Sequence, residues 1–192
     1  SLRRQRQMCI RDSFNPLIKQ FTKFYNADYI EPIEFYGNCY NGNADLYTTM
    51  SYLPHVDTFP GADKDINPLN DYAFNLNVTK SDKVKTAFYS FNGKKSVCDW
   101  TPDDYDDHDR VRDRHKKIKT KDWRLLSSEN FQNYQLEYVA NIEYNSLILY
   151  PSHYWHSVYI KEDWFTDTDR VTFTGFFETK TTSSKTKKLG FG

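Results

Sequence analysis

The sequence predicts a single domain of mainly β structure, on three observations. Of its 192 residues, 15 are Tyr and 14 are Phe, types that suit a pleated, half-buried surface, and only 7 are Gly. Short strand-like runs recur along the chain, bounded by turn residues such as Asn92-Gly93. The length is enough for one sizeable core, and neither a repeat nor a second domain is visible.

Taken in order, residues 1–13 are basic, begin without Met and resemble translated adapter sequence, so they are expected to be non-native. Phe14, Leu17, Ile18, Phe21, Phe24 and Tyr25 recur at helical spacing, with Pro16 suited to a first turn. This predicts a helix over 14–29, ended by Pro32 and packed on the outside of a sheet. One or two N-terminal helices are expected in all. Gly37 to Asn43 reads as a loop, 46–53 as a strand and 60–70 as a polar loop. Residues 72–79 and 84–91 read as strands joined by a hairpin turn at 80–83. Further strands are expected over 133–143, 146–150, 155–160 and 171–178, with a flexible tail at 180–192.

Residues 103–122 stand apart. They hold seven Asp and seven Lys or Arg, acid mostly first. They read as an exposed charged insertion, with a solvated helix over 110–121 whose dipole suits the acidic run before it. A lid over a site is the alternative. His108 and His115, inside it, are expected to face solvent.

Charge excludes some functions. Lys plus Arg equals Asp plus Glu at 26 each, which gives no electrostatic case for nucleic acid or an anionic membrane. No apolar run is long enough to span a membrane. Cys9, Cys39 and Cys98 fit no zinc spacing, and an odd count suggests reduced thiols and a cytoplasmic setting. Asn77-Val78-Thr79 matches a glycosylation triplet but sits in an expected core strand.

Chemistry concentrates at His55 and Asp57, in Tyr52-Leu53-Pro54-His55-Val56-Asp57. On a strand, residues two apart share a face. An imidazole and a carboxylate then converge, which is two-thirds of a two-His-one-carboxylate face for Fe(II). The third ligand is sought far along the chain, in Tyr150-Pro151-Ser152-His153-Tyr154-Trp155-His156-Ser157. His153 and His156 are three apart, so a straight strand turns them to opposite faces, and both are candidates. Arg170-Val171-Thr172 follows, a fork-shaped cation matched to a carboxylate with a hydroxyl beside it.

This order, with Asn145-Ser146-Leu147-Ile148-Leu149-Tyr150 running into Pro151-Ser152 and His156-Ser157, resembles the Fe(II)- and 2-oxoglutarate-dependent oxygenases. The likeness is greatest to small phage and marine bacterial members related to prolyl hydroxylases, and it covers roughly residues 46–178. It implies a double-stranded β-helix, or jelly roll, of two antiparallel sheets. It implies an oxygenase-like domain over 14–179 with 103–122 inserted. It selects His156 as the third metal ligand with His55 and Asp57. Arg170 and Thr172 would hold the far carboxylate of 2-oxoglutarate, and Asn77, or less strongly Tyr89, would touch that co-substrate.

The implied reaction is hydroxylation of an unidentified substrate by O2, with 2-oxoglutarate decarboxylated to succinate. Asp57, present where halogenating relatives lack the carboxylate, argues against that branch. Two other classes compete. One is a non-catalytic jelly-roll module, for binding or as part of a virion, which would show no iron spectrum responsive to 2-oxoglutarate. The other is a zinc hydrolase on the same ligands, which would act without O2 and leave Arg170 unexplained.

Overall fold

The computed structural model describes residues 16, 18–40, 54–57, 71–115, 133–161 and 164–180. The expectations for 1–13, 46–53, 60–70 and the tail beyond Lys180 lie outside these residues. Seven strands are described: β1 (Tyr29–Tyr40), β2 (Asp71–Asn77), β3 (Lys85–Phe91), β4 (Tyr134–Asn141), β5 (Leu147–Pro151), β6 (His156–Tyr159) and β7 (Arg170–Lys180). They form two antiparallel sheets, one in the order β1-β7-β2-β5 and one in the order β4-β3-β6. The mainly β expectation matches this.

Alternation gives each sheet an outer and an inner face. On the four-stranded sheet, Phe74 and Phe177 point outward and pack with Phe21 of a helix over residues 18–24, α1. Phe21 stacks on Phe177 with ring centroids 5.1 Å apart. Each such fully buried ring contributes roughly 1.5–3 kcal/mol. On the three-stranded sheet, Ala87, Tyr89 and Phe91 point outward into a second core with Trp155 and Tyr134. The inner faces, with Asn75, Thr174 and Tyr150 on one sheet and Thr86, His156 and Val158 on the other, enclose a pocket.

Several expectations are corrected. Pro32 does not end the helix, and Gly37 is not in a loop. The chain turns at Tyr25-Asn26 and enters β1, in which both residues lie. β1 pairs with β7 alone among the described strands, so Pro32, which lacks an N–H, is tolerated at a register shift between Pro32 and Glu34. Gly37 is opposite Phe173, whose ring would be 3.3 Å from a Cβ built there. The close approach of that ring is why a glycine suits this strand position.

Nor do β2 and β3 form a hairpin, since they belong to different sheets. The segment between them is a corner. Asn77 Oδ1 accepts from the Thr79 N–H at 2.7 Å, and Thr79 Oγ1 accepts from the Val171 N–H of β7 at 2.6 Å. These bonds tie the turn to the first sheet while the chain leaves for the second. The Asn92-Gly93 turn is where it was expected, with φ of 49° and 79° and Phe91 and Lys94 exchanging both backbone hydrogen bonds at 2.9 Å. β7 runs to Lys180, two residues beyond the expected strand end, because Thr179 and Lys180 pair with Ile30 and Tyr29.

Residues Pro102–His115 form a helix, α2, built into the fold. Its start is held by Asp104 of the first turn reaching back to Thr101, with Pro102 at the first helical position. Asp104 accepts from the N–H and hydroxyl of Thr101 at 2.7 and 2.6 Å and pairs with Lys94. Val111 is 5% exposed and packs into the core under the helix. His108 is not solvent-facing: its side chain is 12% exposed and its ring lies 5.0 Å from that of Trp155 and 5.3 Å from that of Trp100. Its partners are outside the three-stranded sheet, away from the pocket, so the described helix is no lid. The side chain of His115 and residues 116–122 lie outside the description. No described helix is long and apolar enough to cross a membrane.

Candidate metal centre

The backbone sets the site before any side chain does. His55 and His156 exchange both N–H···O bonds, each 2.9 Å. Such a pair lies directly opposite on one face of a ladder. Their ring centroids are accordingly 4.5 Å apart. The Asp57 N–H donates to the Ser152 carbonyl at 2.9 Å, which holds the segment extended and returns Asp57 to the face of His55. Asp57 Oδ2 lies 3.4 Å from His156 Nε2, and Oδ1 lies 3.9 Å from His55 Nε2. One ligand atom from each residue falls within 4.8 Å of the others.

These donors fit a divalent metal. His156 Nδ1 donates to the Tyr154 carbonyl at 2.9 Å, which fixes the tautomer with the Nε2 lone pair toward Asp57. Asp57 Oδ2 is buried with no hydrogen bond, a carboxylate oxygen that burial leaves without compensation. Burial raises the Asp57 carboxyl to about 6 against the pull of His55, and lowers His156 to about 4 against its bond to Tyr154. Both shifts favour the neutral forms, and a neutral imidazole is the form that can ligate a metal. Two imidazoles and one carboxylate on one face are the donor set suited to Fe(II) with open positions.

His153 is elsewhere. It lies in the turn before β6, 7% exposed, with Nδ1 2.7 Å from Ser96 Oγ, and burial lowers its pKa. The structure brings together His55, Asp57 and His156, and leaves His153 bonded to Ser96.

Arg170 and Thr172 share the inner face of β7 with Thr174. Arg170 is 1% exposed, donates through Nη1 to Thr172 Oγ1 at 3.2 Å and lies over the Tyr40 ring at 5.3 Å. Between Arg170 and the metal group lies Tyr150, whose ring centroid is 4.7 Å from that of His156. Its phenol is raised well above the usual range by burial, and then by Asp57 and Tyr36, while Arg170 opposes the shift. One electrostatic environment thus joins the Arg170 end to the Asp57 end.

Asn77 does not reach the pocket. Its carboxamide is spent on the backbone, with Nδ2 donating to Ile142 O at 2.7 Å and Oδ1 accepting from Thr79. Asn75, two residues earlier on the same face, lines the pocket instead. Tyr89 bonds Ser157 Oγ at 3.1 Å within the outer core and is no pocket residue. The sequence reading missed Tyr36, Asn38 and Tyr40, which line a cavity of about 120 Å³ from β1. Their spacing of two was the available signal, hidden by the loop reading of 37–43.

The sequence matches no known family model and no curated protein. Among solved structures the chain is similar to the crystal structure of a novel N-substituted L-amino acid dioxygenase from Burkholderia ambifaria AMMD. The two are 12% identical with a TM-score of 0.41, over 76% of this chain and 52% of that one. The chain spans about half the length of that protein. A likeness this distant carries no weight for fold or function.

Proposed function

We propose that this protein is an Fe(II)- and 2-oxoglutarate-dependent dioxygenase on a double-stranded β-helix, acting as a hydroxylase. The observation that carries the reading is a convergent His-Asp-His group on a pocket wall, with a buried guanidinium on the inner face of β7 in the other sheet. A hydrolytic metal site has no use for that second feature. Bound Fe(II), with 2-oxoglutarate and O2, would supply the oxidising power for hydroxylating a C–H bond, with succinate and CO2 as by-products.

The chain's own residues do the rest. His55, Asp57 and His156 hold the metal on one face. Arg170, steadied by Thr172 and by the Tyr40 ring, binds the far carboxylate of the acid. Tyr150 and Val158 line the space between. Carboxylate–guanidinium pairing in so buried a place is strong.

The test is anaerobic titration of the Fe(II)-loaded protein with 2-oxoglutarate, followed by succinate assay on admitting O2. A visible absorption change and succinate formation are expected. Arg170→Ala should weaken 2-oxoglutarate binding by about 3–5 kcal/mol, roughly two to four powers of ten, and Arg170→Lys by less. Fe(II) affinity should hold in both. Equal 2-oxoglutarate affinity in all three proteins would sink the assignment.

A further inference from the structure

A run of easily oxidised rings leads from a metal ligand to solvent on the far side of the three-stranded sheet. Trp155 is the chain neighbour of His156 and is fully buried, at 0% exposure. Its ring stacks on that of Trp100, with centroids 4.8 Å apart and planes 20° from parallel. Trp100 in turn meets Tyr105 edge to face at 5.0 Å. Tyr105 lies near the start of α2 and is 36% exposed. The bonds of Asp104 to Thr101 and Lys94 fix that end of the helix, and with it the place of Tyr105.

Packing alone does not explain a Trp at position 100. Trp100 Nε1 is buried with no hydrogen-bond partner. An unmet buried donor costs about 1–3 kcal/mol. Buried Trp usually finds an acceptor for this N–H, and Phe or Leu would fill the core with no donor to strand. What an indole offers and Phe does not is the ready loss of an electron. Among aromatic side chains only indoles and phenols have this property. Phe91 packs against both indoles but cannot share in it. Two phenols touch the Trp pair. Tyr134, 5.5 Å from Trp155, is 8% exposed and ends inside the core. Tyr105 is the one that reaches water, where an oxidised phenol can release its proton.

We propose that Trp155, Trp100 and Tyr105 form an electron relay that discharges a one-electron oxidant, formed from O2 at the metal centre, when no substrate is there to consume it. This rests on the metal centre being an oxidising one, as in the function proposed above, but not on the use of 2-oxoglutarate. Trp155 gives one electron to the oxidant and becomes a radical cation. Trp100 refills Trp155, and Tyr105 refills Trp100. The Tyr105 phenol loses that electron inward and its proton to water. A small reductant, a thiol or an enediol such as ascorbate, then returns a hydrogen atom to the exposed tyrosyl oxygen. Each passage reduces the oxidant by one electron, oxidises the reductant by one, and leaves the chain unchanged. The relay also gives α2 a task that a charged insertion would not have.

The experiment loads the full chain with Fe(II) under argon and adds no substrate. One arm receives 2-oxoglutarate and O2, the other hydrogen peroxide. Samples are frozen for electron paramagnetic resonance and digested for mass mapping of oxidised residues. The native protein should show a tyrosyl radical in both arms, mapped to Tyr105 and quenched by ascorbate. Tyr105→Phe, which loses only an exposed hydroxyl, should replace it with a tryptophanyl radical and with oxidation at Trp100 and Trp155. Trp100→Phe should lose the oxidation of Tyr105, with Mn(II) binding unchanged. If Trp100→Phe does not fold, Tyr105→Phe carries the test, and absence of Trp oxidation in it would overturn the relay. Native oxidation of Tyr105 in a folded Trp100→Phe would mean direct attack by a diffusing oxidant and would overturn it as well, as would a radical confined to Tyr150. Succinate formed in the first arm with Tyr105 untouched in both would overturn the relay and leave the proposed function standing. A Trp100-dependent Tyr105 radical in the peroxide arm, with no succinate in the other, would do the reverse.

Discussion

Replacing His156 with Ala tests the metal centre most directly, and the size of the effect can be worked out beforehand. His156 contributes Nε2 3.4 Å from Asp57 Oδ2, with its tautomer fixed through Tyr154. A metal that binds only the folded chain stabilises it by about 2.7 kcal/mol at a free concentration one hundred times Kd. For a protein of this size each kcal/mol moves Tm by about 2–4 °C, so the native chain should gain roughly 5–11 °C. If losing this ligand weakens binding a hundredfold, the same metal concentration equals Kd and the gain falls to about 0.4 kcal/mol, or 1–2 °C. His153→Ala is the control. It removes one partner of the Ser96 hydroxyl, which still accepts from the Cys98 N–H, and lowers the starting Tm, but the shift on adding metal should match the native one. Differential scanning fluorimetry with Fe(II) under argon, or with Mn(II), reads both. A full shift in His156→Ala together with none in His153→Ala would refute the assignment.

Two further outcomes follow from the described contacts. Folding raises the Asp57 carboxyl to about 6, so its contribution to the metal-free fold is present below its unfolded value near 4 and is lost as pH rises through 6. Folding lowers His156 to about 4, so its contribution is present above about 6.5 and is lost as pH falls through 4. Between pH 4 and 6 the two slopes oppose each other. Urea unfolding should show a metal-free native protein nearly indifferent to pH there, and Asp57→Asn gaining up to about 1.4 kcal/mol per pH unit as pH rises; a variant as flat as the native chain would contradict this. At the other end of the molecule, Asp104→Ala removes the cap of α2 and should cost about 1–3 kcal/mol by chemical unfolding, with Asp104→Asn milder. A loss under about 0.5 kcal/mol would mean that the helix is held by its aromatic face alone.

What could be read from the sequence depended on whether the deciding contact was local. The Asn92-Gly93 turn was legible because its positive φ values are a property of those two residues. The 80–83 turn was legible as a turn but not as a corner, because the N–H of Val171 on Thr79, far along the chain, settles where β2 belongs. β1 was hidden by Pro32 and Gly37, breakers in most settings, which an edge position and the ring of Phe173 accommodate. A helix in this charged segment was legible, but it was expected over 110–121 with the acidic run before it, whereas α2 runs over Pro102–His115 and takes the acidic run inside. Its role was not, since Tyr105, His108 and Val111 on a charged background carry its packing, and their partners Trp100, Phe91 and Trp155 come from other elements.

The same distinction explains the site. His55 and Asp57 announce themselves because two residues on a strand are enough to share a face. That rule is also why the opposite wall was misread. Asn75 and Asn77 satisfy the alternation of β2 equally, and no local property separates them. The difference comes from the strand end, where Asn77 meets Ile142 O and the Thr79 N–H and spends its amide on the corner. Asn75, one rung back, meets no such backbone among the described residues and lines the pocket with its Oδ1 unbonded. An amide that closes a corner is satisfied within the fold, whereas the Asn75 oxygen between the two sheets has no such partner among the described residues. The residue that builds the fold and the residue available for recognition are therefore of one type, on one face, two positions apart, and only their hydrogen-bond partners tell which is which.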